Sequence, residues 1–121
     1  MSAKKILVAD DSVASRELIR EVLEMSGYEV VEATDGEEAV ELARQHAPDL
    51  VLVDIQMPRL DGYGVLRQLR AEGRFADVQV VALTAFAMQG DSERALNAGF
   101  DGYITKPVDI ASLRQEIRRF L

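Results

Sequence analysis

At 121 residues the chain has the length of one ordinary domain, and its 48% hydrophobic and 29% charged residues exclude disordered, collagen-like and low-complexity classes. No apolar run exceeds four residues, as in Ile6–Ala9 or Leu50–Val53, so neither a membrane-spanning helix nor a secretory leader is expected. The absence of cysteine removes disulfides, thiolate zinc sites and thiol nucleophiles and makes the cytoplasm the expected compartment, while a net charge of −7 argues against a nucleic-acid-binding surface.

The acidity is uneven. Residues 1–54 carry 13 acids against 5 bases, net −8, whereas residues 55–121 carry 8 acids against 9 bases, net +1. Most of the excess, such as Glu37, Glu38 and Glu41, falls in helical stretches and reads as a solvated face.

Taken in chain order, Lys4–Ala9 is a short aliphatic run expected as a strand, followed by the helix-starting cluster Asp10, Asp11 and Ser12. Val13, Leu18, Ile19, Val22, Leu23 and Met25 then recur at helical spacing until Ser26 and Gly27 end the helix. Tyr28–Ala33 suits a second strand, and Thr34, Asp35 and Gly36 open a second helix through Ala47, which Pro48 stops. Asp49–Val53 is almost continuously aliphatic, the pattern of a strand covered on both faces, and it runs into Asp54. A loop from Ile55 to Asp61, with Pro58 inside it, leads to a helix over Gly62–Glu72 that turns Val65, Leu66 and Leu69 inward.

Val78–Leu83 is another apolar strand, ending at Thr84. The helix expected over Met88–Ala98 has few large apolar residues besides Leu96 and should be the least firmly packed. Gly102–Thr105 gives a last strand, Lys106 and Pro107 a turn, and Asp109 caps a helix with Ile110, Leu113, Ile117 and Leu121 inward. Five strands alternating with five helices predict an α/β fold, doubly wound, with helices on both faces of a parallel sheet. Residues 1–121 read as a single domain with no linker and no output domain.

Asp10 and Asp11, Asp54, Thr84 and Lys106 each follow the carboxyl end of a strand, so they share one edge of the sheet, where open α/β sheets bind their ligands. Two like charges about 4 Å apart cost on the order of 4 kcal/mol at an effective dielectric of about 20, so three crowded aspartates call for a cation. With no cysteine and one histidine the donors are oxygens, which suits Mg²⁺. Three carboxylates, a divalent ion and Lys106 sum to zero, and in that setting Asp54 could attack phosphorus while Lys106 and the Thr84 hydroxyl hold phosphoryl oxygens.

Together with Met57 and Pro58, Asp61 and Gly62, Ala85 after Thr84, and Pro107 after Lys106, these residues make the chain resemble a response-regulator receiver domain from end to end. The resemblance implies a five-stranded flavodoxin-like sheet in the order 2-1-3-4-5. It implies that Asp54 accepts a phosphoryl group from a phosphohistidine on a sensor histidine kinase or a histidine phosphotransfer protein. Mg²⁺ would be held by Asp11 and Asp54 directly, by Asp10 through water, and by the backbone carbonyl of Gln56. Thr84 and Tyr103 would be the switch residues, altering the face made by the fourth helix, fifth strand and fifth helix for an unidentified protein target. The resemblance further implies a cis peptide between Lys106 and Pro107, and a phosphorylation-dependent dimer stands beside a monomer. Gln56 and Phe86 flank the path of hydrolytic water and are expected to tune the lifetime of the phosphoryl group.

Each of these residues has a plainer reading. Asp10 or Asp11 could cap a helix, Asp54 could sit in a turn, Thr84 and Lys106 could be ordinary surface groups, and Tyr103 an ordinary strand residue; only their shared edge raises them. His46 reads as a favourable charge at a helix C-terminus. Arg114, Arg118 and Arg119 read as a solvated face that would also suit an acidic partner. Two other functions compete with the switch. One is an Mg²⁺-dependent hydrolase using Asp54 as a transient nucleophile, for which no substrate-capping insertion is visible. The other is a binding module without phosphorylation, which would usually have lost one of the five site residues.

Overall fold

The aliphatic runs become the strands of one parallel sheet in a computed structural model that describes residues 3–85 and 91–121. Strand β1 spans Lys5–Ala9, β2 Glu29–Ala33, β3 Leu50–Asp54, β4 Gln79–Thr84 and β5 Gly102–Thr105. Their order among the described residues is β2-β1-β3-β4-β5, as the resemblance implied, and every pairing is parallel. Helices α1 (Val13–Met25), α2 (Gly36–His46), α3 (Gly62–Ala71), α4 (Asp91–Ala98) and α5 (Ile110–Phe120) connect and cover them.

Alternation along the strands sorts the core into two layers. Ile6, Val8, Leu50, Leu52, Val81 and Leu83 pack with Ile19, Val22 and Leu23 of α1 and Leu113 and Ile117 of α5. The opposite set, including Leu7, Val51, Val53 and Val80, packs with α2, α3 and Ala95 of α4. β3 is buried along its whole length, which explains why its sequence is aliphatic without alternation.

Several local outcomes differ from the sequence reading. Val13 and Met25 of α1 are 56% and 78% exposed, because the stripe that reaches the core is Ile19, Val22 and Leu23 with Leu18 beside them. Ile110 is likewise exposed at the first position of α5, whose buried residues are Leu113 and Ile117. α2 ends at His46, not Ala47. Ala47 adopts the left-handed conformation at φ 47°, since the following Pro48 disfavours helical geometry there. A 3-10 turn over Gly73–Phe75, absent from the sequence reading, buries Phe75 under the sheet edge. The expected beginning of α4 at Met88 lies outside the described residues; from Asp91 onward the helix buries Ala95 while Leu96 is exposed.

Caps form where the sequence placed them. Ser12, Asp35, Asp61 and Asp109 accept hydrogen bonds from Ser15, Glu38, Gly64 and Ser112 backbone N–H groups at the starts of α1, α2, α3 and α5. Replacing such a cap by alanine typically costs about 1 kcal/mol. The turn before β5 is fixed by Asp101, whose Oδ2 accepts from Arg70 Nη2 at 2.9 Å and from Val80 N at 2.8 Å. That clamp joins α3, β4 and β5 immediately upstream of Lys106. No helix among the described residues is long and apolar enough to cross a membrane.

Candidate functional site

Strand register brings the predicted residues together. Ala9 lies opposite Val53, so the next residues, Asp10 and Asp54, come side by side, and Asp54 in turn pairs with Leu83. Thr84 is opposite Thr105, with Lys106 one residue beyond. Asp10 and Asp54 are buried, as is Thr84, whereas Asp11 is exposed at the rim. One oxygen from each of Asp10, Asp11 and Asp54 lies within 4.8 Å of the others.

Lys106 binds the two buried acids together: its Nζ is 2.7 Å from Asp54 Oδ2 and 2.8 Å from Asp10 Oδ2. The contact with Asp54 is a directed hydrogen bond. Asp10 Oδ2 is fully buried, and its partner is the Lys106 ammonium. The second oxygens are held by the backbone, Asp54 Oδ1 by Gln56 N and Asp10 Oδ1 by Ser12 N, both at 2.9 Å. The peptide joining Lys106 to Pro107 is cis.

Burial is the largest influence on Asp54 and raises its pKa, helped by the Asp10 charge and opposed by Lys106 and the Gln56 N–H. Burial would lower the pKa of Lys106, but its contacts with Asp10 and Asp54 outweigh that and raise it, so the ammonium stays charged. Three carboxylates and one ammonium leave a net charge of −2 at a site made of hard oxygen donors. That residual charge, on three carboxylates whose oxygens cluster within 4.8 Å, fits a small divalent cation such as Mg²⁺.

The close approach of α3 shapes one wall. A side-chain carbon on Gly62 would come 2.7 Å from the Asp54 carbonyl oxygen and 2.8 Å from Ile55 Cα, so only glycine lets the helix start against the strand end. Outward from Asp11 and Asp54 runs a cleft of about 740 Å³, walled by Gln56, Met57, Tyr63 and Arg94.

Residues 6–118 match the response regulator receiver domain. The chain belongs to this family. Over 118 residues it is 38% identical to the polar-differentiation response regulator DivK of Brucella anthropi, covering 98% of this chain and 96% of that one. Among solved structures it is similar to the chemotaxis response regulator CheY4 of Vibrio cholerae, with a TM-score of 0.92 and 27% identity over 99% of this chain and all of the other. The receiver domain of a sensor histidine kinase from Pseudomonas aeruginosa, which holds a magnesium ion in its active-site cleft, matches with a TM-score of 0.90 and 36% identity over 98% of both chains.

In this receiver Asp10, Asp11, Asp54, Thr84 and Lys106 gather at one edge, and Gln56 lines the cleft beside them. Tyr103 stands apart on β5, half-buried against the layer of α2, α3 and α4. Phe86 lies outside the described residues. The sequence reading missed Arg16, whose Nη1 donates to the Asp10 carbonyl at 2.7 Å while its Nε pairs with Glu32 at 3.1 Å, fixing the backbone under the acid pair. It also missed Tyr63 and Arg94. The first lies one residue after the glycine that touches Asp54, a usable signal; the second comes from a helix whose placement nothing local announces.

Proposed function

We propose that this receiver is a phosphorylatable switch in which Asp54 takes a phosphoryl group from the phosphohistidine of a sensor histidine kinase or a histidine phosphotransfer protein. The observation that carries the reading is the Lys106 ammonium, 2.7 Å from Asp54 and 2.8 Å from Asp10, in a carboxylate cluster poised for a divalent ion. A carboxylate oxygen of Asp54 forms the new O–P bond as the P–N bond of the donor breaks. The electron pair leaves on the imidazole nitrogen, and a proton taken by the ring from solvent makes the released histidine neutral. Lys106 and the Thr84 hydroxyl, at neighbouring strand ends, bind phosphoryl oxygens and offset their growing charge. Mg²⁺, held by Asp11 and Asp54, by Asp10 through water and by the Gln56 carbonyl, would supply Lewis-acid neutralisation of the phosphoryl oxygens.

Once phosphorylated, Asp54 draws the Thr84 hydroxyl toward itself, and Tyr103 turns inward into the space this opens. The α4-β5-α5 face then changes for a downstream protein or for a second copy of the chain. The 121 residues act as one receiver domain on the cytoplasmic side, where such phosphodonors are made. Gln56 and Phe86 set the hydrolytic lifetime of the acyl phosphate, and Phe86→Ala is expected to lose the phosphoryl group faster; an equal or slower loss refutes that role.

Incubation with acetyl phosphate and Mg²⁺ followed by intact-mass measurement tests the proposal. The parent should gain one phosphoryl group, and Asp54→Asn or chelation of the metal should abolish the gain. No adduct in the parent, or the same adduct in Asp54→Asn, overturns it.

A further inference from the structure

The cleft that opens from Asp11 and Asp54 is acidic at its floor and along its α3 side, where Asp61 joins the lining. Lys106 belongs to the buried floor and is already engaged by Asp10 and Asp54. Among the described residues the one cation on the cleft wall is Arg94 of α4. Its guanidinium stands 5.9 Å from the centre of the Tyr63 ring, and Tyr63 meets the buried Phe100 edge-on at 5.6 Å and 68°. Arg94 is exposed and makes no ion pair among the described residues, so its donors are available, and its guanidinium lies within cation–π reach of the Tyr63 ring. A second hollow of about 470 Å³ between α3 and α4 shares Asp61, Tyr63 and Arg94 with the first and adds Arg67, which extends the positive side away from the acids.

We propose that Arg94 is a specificity-determining residue of this receiver, a cation at the cleft mouth that draws in and orients small dianionic phosphodonors of the acyl phosphate class. The proposal rests on the reading that Asp54 is the phosphoacceptor. An acyl phosphate presents its full dianion to a cleft whose floor is neutral once a divalent ion is bound beside Lys106 but whose α3 side adds Asp61, so Arg94 is the group on the wall that attracts it. A phosphoramidate carries an ammonium next to phosphorus that offsets part of that charge, so it depends less on Arg94. In the phosphoryl transfer from acetyl phosphate, an Asp54 oxygen forms the bond to phosphorus, the bridging P–O bond breaks, and acetate departs with the electron pair. Arg94 takes no part in bond making; it acts on the encounter, where one well-placed charge changes association rates and their salt dependence.

The test measures phosphorylation rate constants with acetyl phosphate and with phosphoramidate, at saturating Mg²⁺ and two ionic strengths, for the parent, Arg94→Gln and Arg94→Lys. Arg94→Gln is expected to slow the acetyl phosphate reaction by roughly three- to tenfold at low salt, to slow the phosphoramidate reaction less, and to flatten the salt dependence. Arg94→Lys, which keeps the charge, should recover most of the acetyl phosphate rate. Equal donor ratios and equal salt slopes in the parent and Arg94→Gln overturn the proposal while leaving Asp54 as acceptor. If the parent forms no adduct with either donor, the acceptor reading fails and the role of Arg94 fails with it. The thermal midpoint of each variant checks that folding is intact, which the exposure of Arg94 leads one to expect.

Discussion

Helices α1 and α4 flank the same acidic edge from opposite faces of the sheet but are fastened to it very differently. α1 puts Ile19, Val22 and Leu23 into the core, is capped by Ser12, and is tied to β2 through Arg16 and Arg20, which share Glu32 at 3.1 and 2.9 Å. α4, over its described residues, buries Ala95 and leaves Leu96 49% exposed. The difference teaches where a phosphoryl group at Asp54 can be felt. Arg16 also holds the Asp10 backbone, so the α1 side is a fixed frame for the metal ligands. A helix that buries Ala95 alone among its described side chains is cheap to displace, and it stands beside the strand pair that leads into Thr84 and Lys106.

The largest effect that could break this comparison is on packing. Leu23→Ala should destabilise the chain by about 3 kcal/mol in urea unfolding, whereas Leu96→Ala should stay within about 0.5 kcal/mol. Equal losses would mean that α4 is as firmly seated as α1. The next effect is on the shared edge. Mg²⁺ at a hundredfold excess over its dissociation constant should stabilise the fold by about 2.7 kcal/mol. Asp11→Asn should lose most of that gain, and an unchanged gain would remove Asp11 from the metal site.

A smaller effect concerns the cost of the acid cluster itself. Burial first, and Asp10 second, hold the Asp54 pKa above its ordinary value against Lys106 and the Gln56 N–H, so the folded chain keeps this proton more readily than the unfolded one. Stability from this group is therefore present in acid and is lost as pH rises from the ordinary carboxylate range through the raised value. Without divalent cations Asp54→Asn should unfold at a higher urea midpoint than the parent at neutral pH, and the two should converge in acid. A lower midpoint for the variant at neutral pH would show that the Lys106 pairing outweighs burial.

The sheet and its acidic edge were legible in the sequence because four of the strand segments stop at a residue of distinct chemistry: Ala9 at Asp10, Val53 at Asp54, Leu83 at Thr84, Thr105 at Lys106. In a parallel sheet those endings fall at one edge, so one-dimensional punctuation becomes a three-dimensional site. What periodicity does not say is where each apolar stripe leaves the core, which is why Val13 and Met25, at helical spacing with buried residues, and Ile110, expected inward, are exposed. The 3-10 turn at Phe75 and the Arg70–Asp101 clamp depend on partners distant in sequence, and no local pattern marks them. Arg94 stayed hidden for the same reason, since its meaning comes from Tyr63 and the cleft on a different helix.

Amide hydrogen exchange on the parent and Asp54→Asn, with and without acetyl phosphate and Mg²⁺, tests most directly the claim that phosphorylation of Asp54 resets α4 against a fixed α1. The account expects stoichiometric phosphorylation of the parent to change exchange across residues 91–105, to leave residues 13–25 as they were, and to change nothing in Asp54→Asn. Full phosphorylation with no change across residues 91–105, or with an equal change across residues 13–25, would contradict it.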